Sequence, residues 1–125
     1  MRSTAIILAA GSGKRFSAKK KKQFVELFDK PLLYYSLKAF SESKADEIIV
    51  VTSKDDIDFV REDIVKKYGF SKVKSIVSGG DERYDSVYNG LEKATGDICM
   101  IHDSARAMIS VELINRCIEE TFKYG

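Results

Sequence analysis

Proline appears once in 125 residues and glycine eight times. That scarcity excludes a collagen-like chain and a linker composition. No apolar run approaches the roughly 20 residues that span a bilayer; the longest uncharged one is Ala5 to Ala10. Arg2 precedes this run, but Gly11-Ser12-Gly13 and then Lys14 and Arg15 follow it in place of a cleavage site, so no signal peptide is read. Cysteine is limited to Cys99 and Cys117. Both lie in apolar surroundings without metal-ligand spacing and are expected to be reduced core residues of a cytoplasmic protein. The single histidine, His102, is expected to be a hydrogen-bonded structural residue, not a base. What is present is a 44% hydrophobic chain, too apolar for disorder and of a length that suits one domain with its own core.

The net charge of +2 conceals an asymmetry. Residues 1–40 hold nine Lys/Arg and two acids; residues 41–125 hold twelve and seventeen. The basic excess gathers in Lys14–Lys22, a footprint for an anion. The acidic remainder argues against nucleic acid as that anion. Lys19, Lys20 and Lys21 read as a solvated charge run.

Periodicity alternates between strand and helix. Thr4 to Ala10 is continuously apolar and stops at glycine, as a strand buried on both faces does. Residues 11–22 read as a loop, Gln23 to Phe28 as a short strand, and Asp29-Lys30 as a turn. Pro31 suits the first position of a helix reaching about Ser43, with Leu33, Leu37 and Phe40 inward. Glu47 to Thr52 is a β-branched strand. Ser53 and Asp56 form a capping-box pattern before Ile57, Val60, Ile64 and Tyr68, and Gly69 closes that helix. Val73 to Val77 is a third strand. Gly79-Gly80-Asp81 turns into a helix from Arg83 to Ala94 with Val87 and Leu91 inward. Asp97 to His102 is a fourth strand. Ser110 caps a last helix with Leu113, Ile114, Cys117, Ile118 and Phe122 as its apolar stripe. Strands alternating with amphipathic helices predict an α/β chain: a doubly wound, mostly parallel sheet with helices on both faces.

Ligands of such sheets bind beyond the carboxyl ends of the strands. Three polar segments are predicted to arrive there: Leu8 to Arg15, Gly79 to Ser86, and His102 to Arg106. In the first, Gly11 and Gly13 allow backbone N–H groups to approach phosphate oxygens, with Arg15 and Lys22 to neutralise them. It is neither a Walker loop nor a dinucleotide fingerprint, since it lacks the G-K-[ST] ending and a third glycine. Spacing alone leaves Asp81 and Asp103 open to two readings, ligand contact or turn capping. Arg83 is read as pairing with an acid and fixing its loop. Tyr34, Tyr35 and Phe40 are read as packing aromatics.

Taken in order, Leu8-Ala9-Ala10-Gly11-x-Gly13-x-Arg15, Lys22-Gln23-Phe24, Gly79-Gly80-x-Glu82-Arg83-x-x-Ser86-Val87 and His102-Asp103-x-Ala105-Arg106 resemble the 2-C-methyl-D-erythritol 4-phosphate cytidylyltransferases. Asn89-Gly90 after Ser86 favours that family over its relatives acting on ribitol 5-phosphate. The resemblance implies a Rossmann-like nucleotidyltransferase fold. It also implies transfer of CMP from CTP to the polyol phosphate with release of pyrophosphate, a step of isoprenoid synthesis by the non-mevalonate route.

By the same resemblance, Arg15 and Lys22 stabilise charge on the α-phosphoryl oxygens, and Gly11 and Gly13 donate to the phosphates. Ala9, Ala10, Gly80, Asp81 and Ser86 surround cytosine and ribose. Asp103 ligates Mg2+, and Arg106 faces the substrate or steadies its loop. No protein nucleophile is needed. Lys21 and Ala107 stand where the family usually has proline, and a proline before Lys22 would have stiffened its loop. The family's domain is roughly twice as long. Residues 1–125 are therefore expected to be the CTP-binding part of one domain, lacking further strands, the homodimerisation arm and substrate-phosphate contacts. Alone, such a chain is expected to self-associate, bind CTP weakly and form no product.

Overall fold

A computed structural model describes residues 2–9, 24, 26–104 and 109–124. Its centre is a four-stranded, wholly parallel sheet made of β1 (Ser3–Ala9), β4 (Glu47–Thr52), β5 (Val73–Ser78) and β6 (Ile98–Asp103), in the spatial order β5-β4-β1-β6. Every residue of β1 and β4 is buried, which is why both read as unbroken apolar runs. Two two-residue strands, β2 (Glu26–Leu27) and β3 (Lys30–Pro31), form a separate hairpin. Its turn places Phe28 and Asp29 at φ of 52° and 66°, left-handed values that suit glycine better.

Side-chain alternation distributes the core over two faces. Ala5, Ile7, Ala9, Ile48 and Val50 meet Leu33, Leu37 and Phe40 of α1 (Leu32–Ser41), and Ile114 and Ile118 of α4 (Val111–Tyr124). Val60 and Ile64 join them from the helical segment over residues 54–66. That segment tightens to a 3-10 turn at Lys54–Asp56, is α-helical at Ile57–Phe59 (α2), and widens to π geometry at Val60–Lys66. On the other face Ile6, Leu8 and Val51 meet Val77 and Val87, the latter from α3 (Arg83–Lys93). Gly90 lets α3 lie close, for a Cβ there would stand 2.8 Å from Ile6 Cγ2.

Several local expectations need correction. Ser53 stands at the N-cap position as expected but makes no capping-box bond; its hydroxyl bonds the Asp56 carboxylate instead. The first helix ends at Ser41, two residues early, with the Ser43 hydroxyl donating to Phe40 O at 2.7 Å. Leu91 and Leu113 are exposed, as are both cysteines. β6 lies at the edge of the described sheet, and α3 lies against β1, β4 and β5. The β6 residues that point to the α3 face, Cys99 and Ile101, therefore meet water. Ser110 does cap α4, accepting the Leu113 N–H at 3.1 Å. Gly69 ends its helix at φ 69°. Among the described residues no helix is long and apolar enough to cross a membrane.

Candidate nucleotide site at the sheet switch point

The chain winds outward from β1 through β4 to β5, then returns to place β6 on β1's other side. The reversal lies between β1 and β6, and in open parallel sheets that crevice is where ligands bind. Leu8 pairs in register with Asp103 and Ala9 with Thr52. The carboxyl ends of β1, β4 and β6 are thereby brought together, with Asp103 beside Leu8.

The terminal carbonyls of parallel strands have no further ladder partners and need other donors. Small hydroxyls supply them here. Ser104, 1% exposed, donates from Oγ at 2.9 Å to Leu8 O, and its N–H reaches the same oxygen at 3.1 Å. Thr52 Oγ1 donates to Ala9 O at 3.4 Å, while Thr52 O accepts the Gly79 N–H at 2.8 Å. Asn89 Nδ2 donates to Ser78 O at 3.0 Å. The three strand ends are cross-braced before any loop leaves them.

The loop from Gly79 into α3 is tied down from beneath. The Gly80 N–H donates to Ser86 Oγ at 3.2 Å, and Ser86 is 3% exposed. A reciprocal capping box follows: the Glu82 N–H donates to Asp85 at 3.1 Å, and the Glu82 side chain accepts the Asp85 N–H. A Cβ on Gly80 would fall 2.2 Å from Asp85 Cβ, so a side chain there and this box exclude each other. Glu82 and Asp85 do the capping, and Asp81 is left exposed on the turn. Arg83 is exposed and forms no ion pair among the described residues, contrary to the expected pairing with an acid.

The structure thus brings Ala9 and Asp103 together at the β1–β6 crevice, and Gly80, Asp81 and Ser86 together on the β5–α3 loop. Ala10, Gly11, Gly13, Arg15, Lys22 and Arg106 lie outside the described residues. The bracing of the strand ends by Ser104, Thr52 and Asn89 is not evident from the sequence motifs. The signal that could have found them is a small polar residue at, just after or facing a buried strand's end, where an orphan carbonyl must be met.

A family model described as 2-C-methyl-D-erythritol 4-phosphate cytidylyltransferase matches residues 3–124. This chain belongs to that family. A relative of that name from Lachnoclostridium phytofermentans is 52% identical over 118 residues, covering 94% of this chain and 51% of its own length. One from Clostridium perfringens is 48% identical over 123 residues, covering 97% and 52%. The crystal structure of 4-diphosphocytidyl-2C-methyl-D-erythritol synthase from Anaerococcus prevotii is similar with a TM-score of 0.78 at 32% identity, over 98% of this chain and 51% of that one. The chain spans about half the length of the relatives it matches.

Proposed function

We propose that the protein carrying this chain transfers CMP from CTP to 2-C-methyl-D-erythritol 4-phosphate, and that these residues form the CTP-binding part of its domain. A phosphate oxygen of the polyol phosphate attacks the α-phosphorus of CTP. The bond from that phosphorus to the bridging oxygen breaks, and pyrophosphate leaves. The observation that carries the reading is the convergence of the β1 end, Asp103 and the Gly79–Gly80 turn at the carboxyl end of the sheet, in a chain of this family.

Gly80, Asp81 and Ser86, with Ala9 and Ala10, are assigned to cytosine and ribose. The Ser86 hydroxyl keeps the Gly80 backbone in place. Gly11 and Gly13 are assigned to the phosphates, Arg15 and Lys22 to the charge that grows on the α-phosphoryl oxygens, and Arg106 to the polyol phosphate. Preorganised donors at that point commonly contribute on the order of a hundredfold in rate each.

Asp103 is the candidate ligand for a magnesium ion. Among the described residues no group of three or more acids, histidines or cysteines could hold a metal by itself. A lone carboxylate fits a hard cation that takes its other ligands from substrate phosphates and water. When bound, magnesium would neutralise triphosphate charge. A homodimeric, cytoplasmic enzyme is the expected setting.

The test is an assay of the full-length protein with CTP, magnesium and either 2-C-methyl-D-erythritol 4-phosphate or ribitol 5-phosphate, reading pyrophosphate release and product mass. The expected product is 4-diphosphocytidyl-2-C-methyl-D-erythritol. Product from ribitol 5-phosphate alone would overturn the substrate, and CTP binding without turnover would overturn the reaction. Asp103→Asn should weaken magnesium-dependent CTP binding while leaving the fold intact; unchanged affinity and magnesium dependence would make Asp103 a turn residue.

A further inference from the structure

The Asn89-Gly90 pair stands out in the sequence, yet no step assigned so far uses it. Packing explains Gly90: a Cβ there would stand 2.8 Å from Ile6 Cγ2 and 3.1 Å from Val51 Cγ2, so a glycine lets α3 ride close to the sheet. Packing does not explain Asn89, which is half-buried. Its amide nitrogen donates to Ser78 O at 3.0 Å, and only the NH2 end of the amide can bond a carbonyl oxygen.

Ser78 ends β5, which lies at the edge of the described sheet with β4 on its one paired side. The Gly79 N–H donates to Thr52 O at 2.8 Å, so the peptide group joining Ser78 to Gly79 turns its N–H toward β4. In a trans peptide the carbonyl points the opposite way, and no cis bond occurs among the described residues. Ser78 O therefore faces the side where β5 has no partner strand, and it needs a donor that the ladder does not supply. Asn89 is that donor. One peptide group is gripped at both ends, by β4 through its N–H and by α3 through its oxygen.

The next peptide group, joining Gly79 to Gly80, is held through its N–H, which donates to Ser86 Oγ at 3.2 Å. Ser86 and Asn89 stand at i and i+3 of α3 and so share one side of the helix. A rigid element thus holds two points of a Gly-Gly segment, where backbone freedom is greatest.

We propose that Asn89 is a positioning residue for the nucleotide: by fixing Ser78 O it fixes the base of the turn that presents Gly80 and Asp81 to CTP. The proposal rests on the assignment of Gly80, Asp81 and Ser86 to cytosine and ribose. Asn89 also lines an open cavity of about 390 Å3 with Val77, Ser78, Glu92 and Lys93. Without the amide, water entering that cavity satisfies Ser78 O, so the fold loses little. Water does not tie the turn to α3, however. CTP must then order the turn as it binds, and the penalty falls on nucleotide affinity while kcat at saturating CTP is kept.

The experiment is steady-state kinetics on the full-length enzyme with CTP and 2-C-methyl-D-erythritol 4-phosphate, with thermal melts in parallel. The variants are Asn89→Ala, Asn89→Asp and Ser86→Ala. Asn89→Ala should raise KM for CTP about fivefold, the worth of one hydrogen bond. Its kcat, its KM for the polyol phosphate and its melting midpoint should change little. Asn89→Asp keeps the shape, loses the donor and should raise KM for CTP at least as far. Wild-type KM for CTP in either variant, a loss confined to kcat, or an equal rise in KM for both substrates would overturn the proposal. If Asn89→Ala does not fold, Asn89→Ser, polar but too short to reach Ser78 O, carries the same comparison. An unchanged KM for CTP in Ser86→Ala as well overturns the assignment of this loop to CTP, and the role of Asn89 with it. A raised KM in Ser86→Ala beside an unchanged one in Asn89→Ala overturns Asn89 alone.

Discussion

The two ends of the parallel sheet are built on opposite principles. At the amino end Glu47 is buried, 4% exposed, and fully engaged. Its carboxylate accepts Thr4 Oγ1 and the Thr95 N–H at 2.6 Å each and Thr95 Oγ1 at 2.7 Å, while Thr4 Oγ1 accepts the Gly96 N–H at 2.9 Å. Asp46 similarly accepts the Ser3 N–H at 2.8 Å. Charge there is consumed by the fold, stapling β1, β4 and the α3–β6 connection. At the carboxyl end the hydroxyls of Ser86, Ser104 and Thr52 satisfy the backbone. Asp81 stays exposed on its turn, and Asp103 ends β6 beside Leu8. A buried acid that meets donors from β1 and from the α3–β6 connection stabilises the fold.

If this division holds, variants at the two ends should separate stability from activity. Glu47→Ala should have the largest effect on the fold, about 3 kcal/mol, because it leaves the buried Thr4 hydroxyl without its acceptor and removes both charge-assisted bonds from Thr95. In the full-length protein that is a drop in melting temperature on the order of 10 °C, with kcat near wild type in whatever remains folded. A lost kcat at unchanged melting temperature would break the comparison.

Arg15→Ala should do the reverse. kcat should fall on the order of a hundredfold, with KM for CTP and the melting temperature nearly unchanged. A change confined to KM would reduce Arg15 to ground-state binding.

Gly80→Ala sits between the two classes. The new methyl must displace Asp85 and open the capping box, costing about 1 kcal/mol of stability and raising KM for CTP several-fold. Wild-type KM would remove Gly80 from the nucleotide loop.

The smallest effect is a pH dependence. Burial alone pushes the Glu47 carboxyl up, but the hydrogen bonds from Thr4 and Thr95 and the Arg2 guanidinium outweigh it and hold the group below its ordinary value of 4.5. Its contribution is therefore complete above pH 4.5 and is lost as pH falls through the lowered folded value. Melts of wild type and Glu47→Gln from pH 7 to 3 should show a gap that narrows below pH 4.5. A constant gap would mean that Glu47 does not titrate with folding.

Much of this architecture is legible in the residues. Glu47 to Thr52 is the same strand in both readings, because a β-branched run between polar flanks has no other economical burial. Gly80 and Ser86 were recognised from family motifs, and the structure supplies their geometry: a close approach and a hydroxyl beneath it. Cys99 is exposed despite its apolar neighbours in sequence, because such neighbours imply burial only when a helix lies over that face. The hairpin was blurred because strands of two residues carry no period to detect.

By itself the sequence determined the alternation of strands and helices and the family, since these depend on local periodicity and on the order and residue types of the motifs. Only the tertiary structure decided that β6 would flank β1. That choice sets Asp103 beside Leu8, lets Ser104 brace the end of β1, and brings Thr95 to Glu47, which becomes a structural acid. The physical reason is that a carboxylate's role depends on which donors surround it, and here those donors come from segments more than forty residues away in the chain.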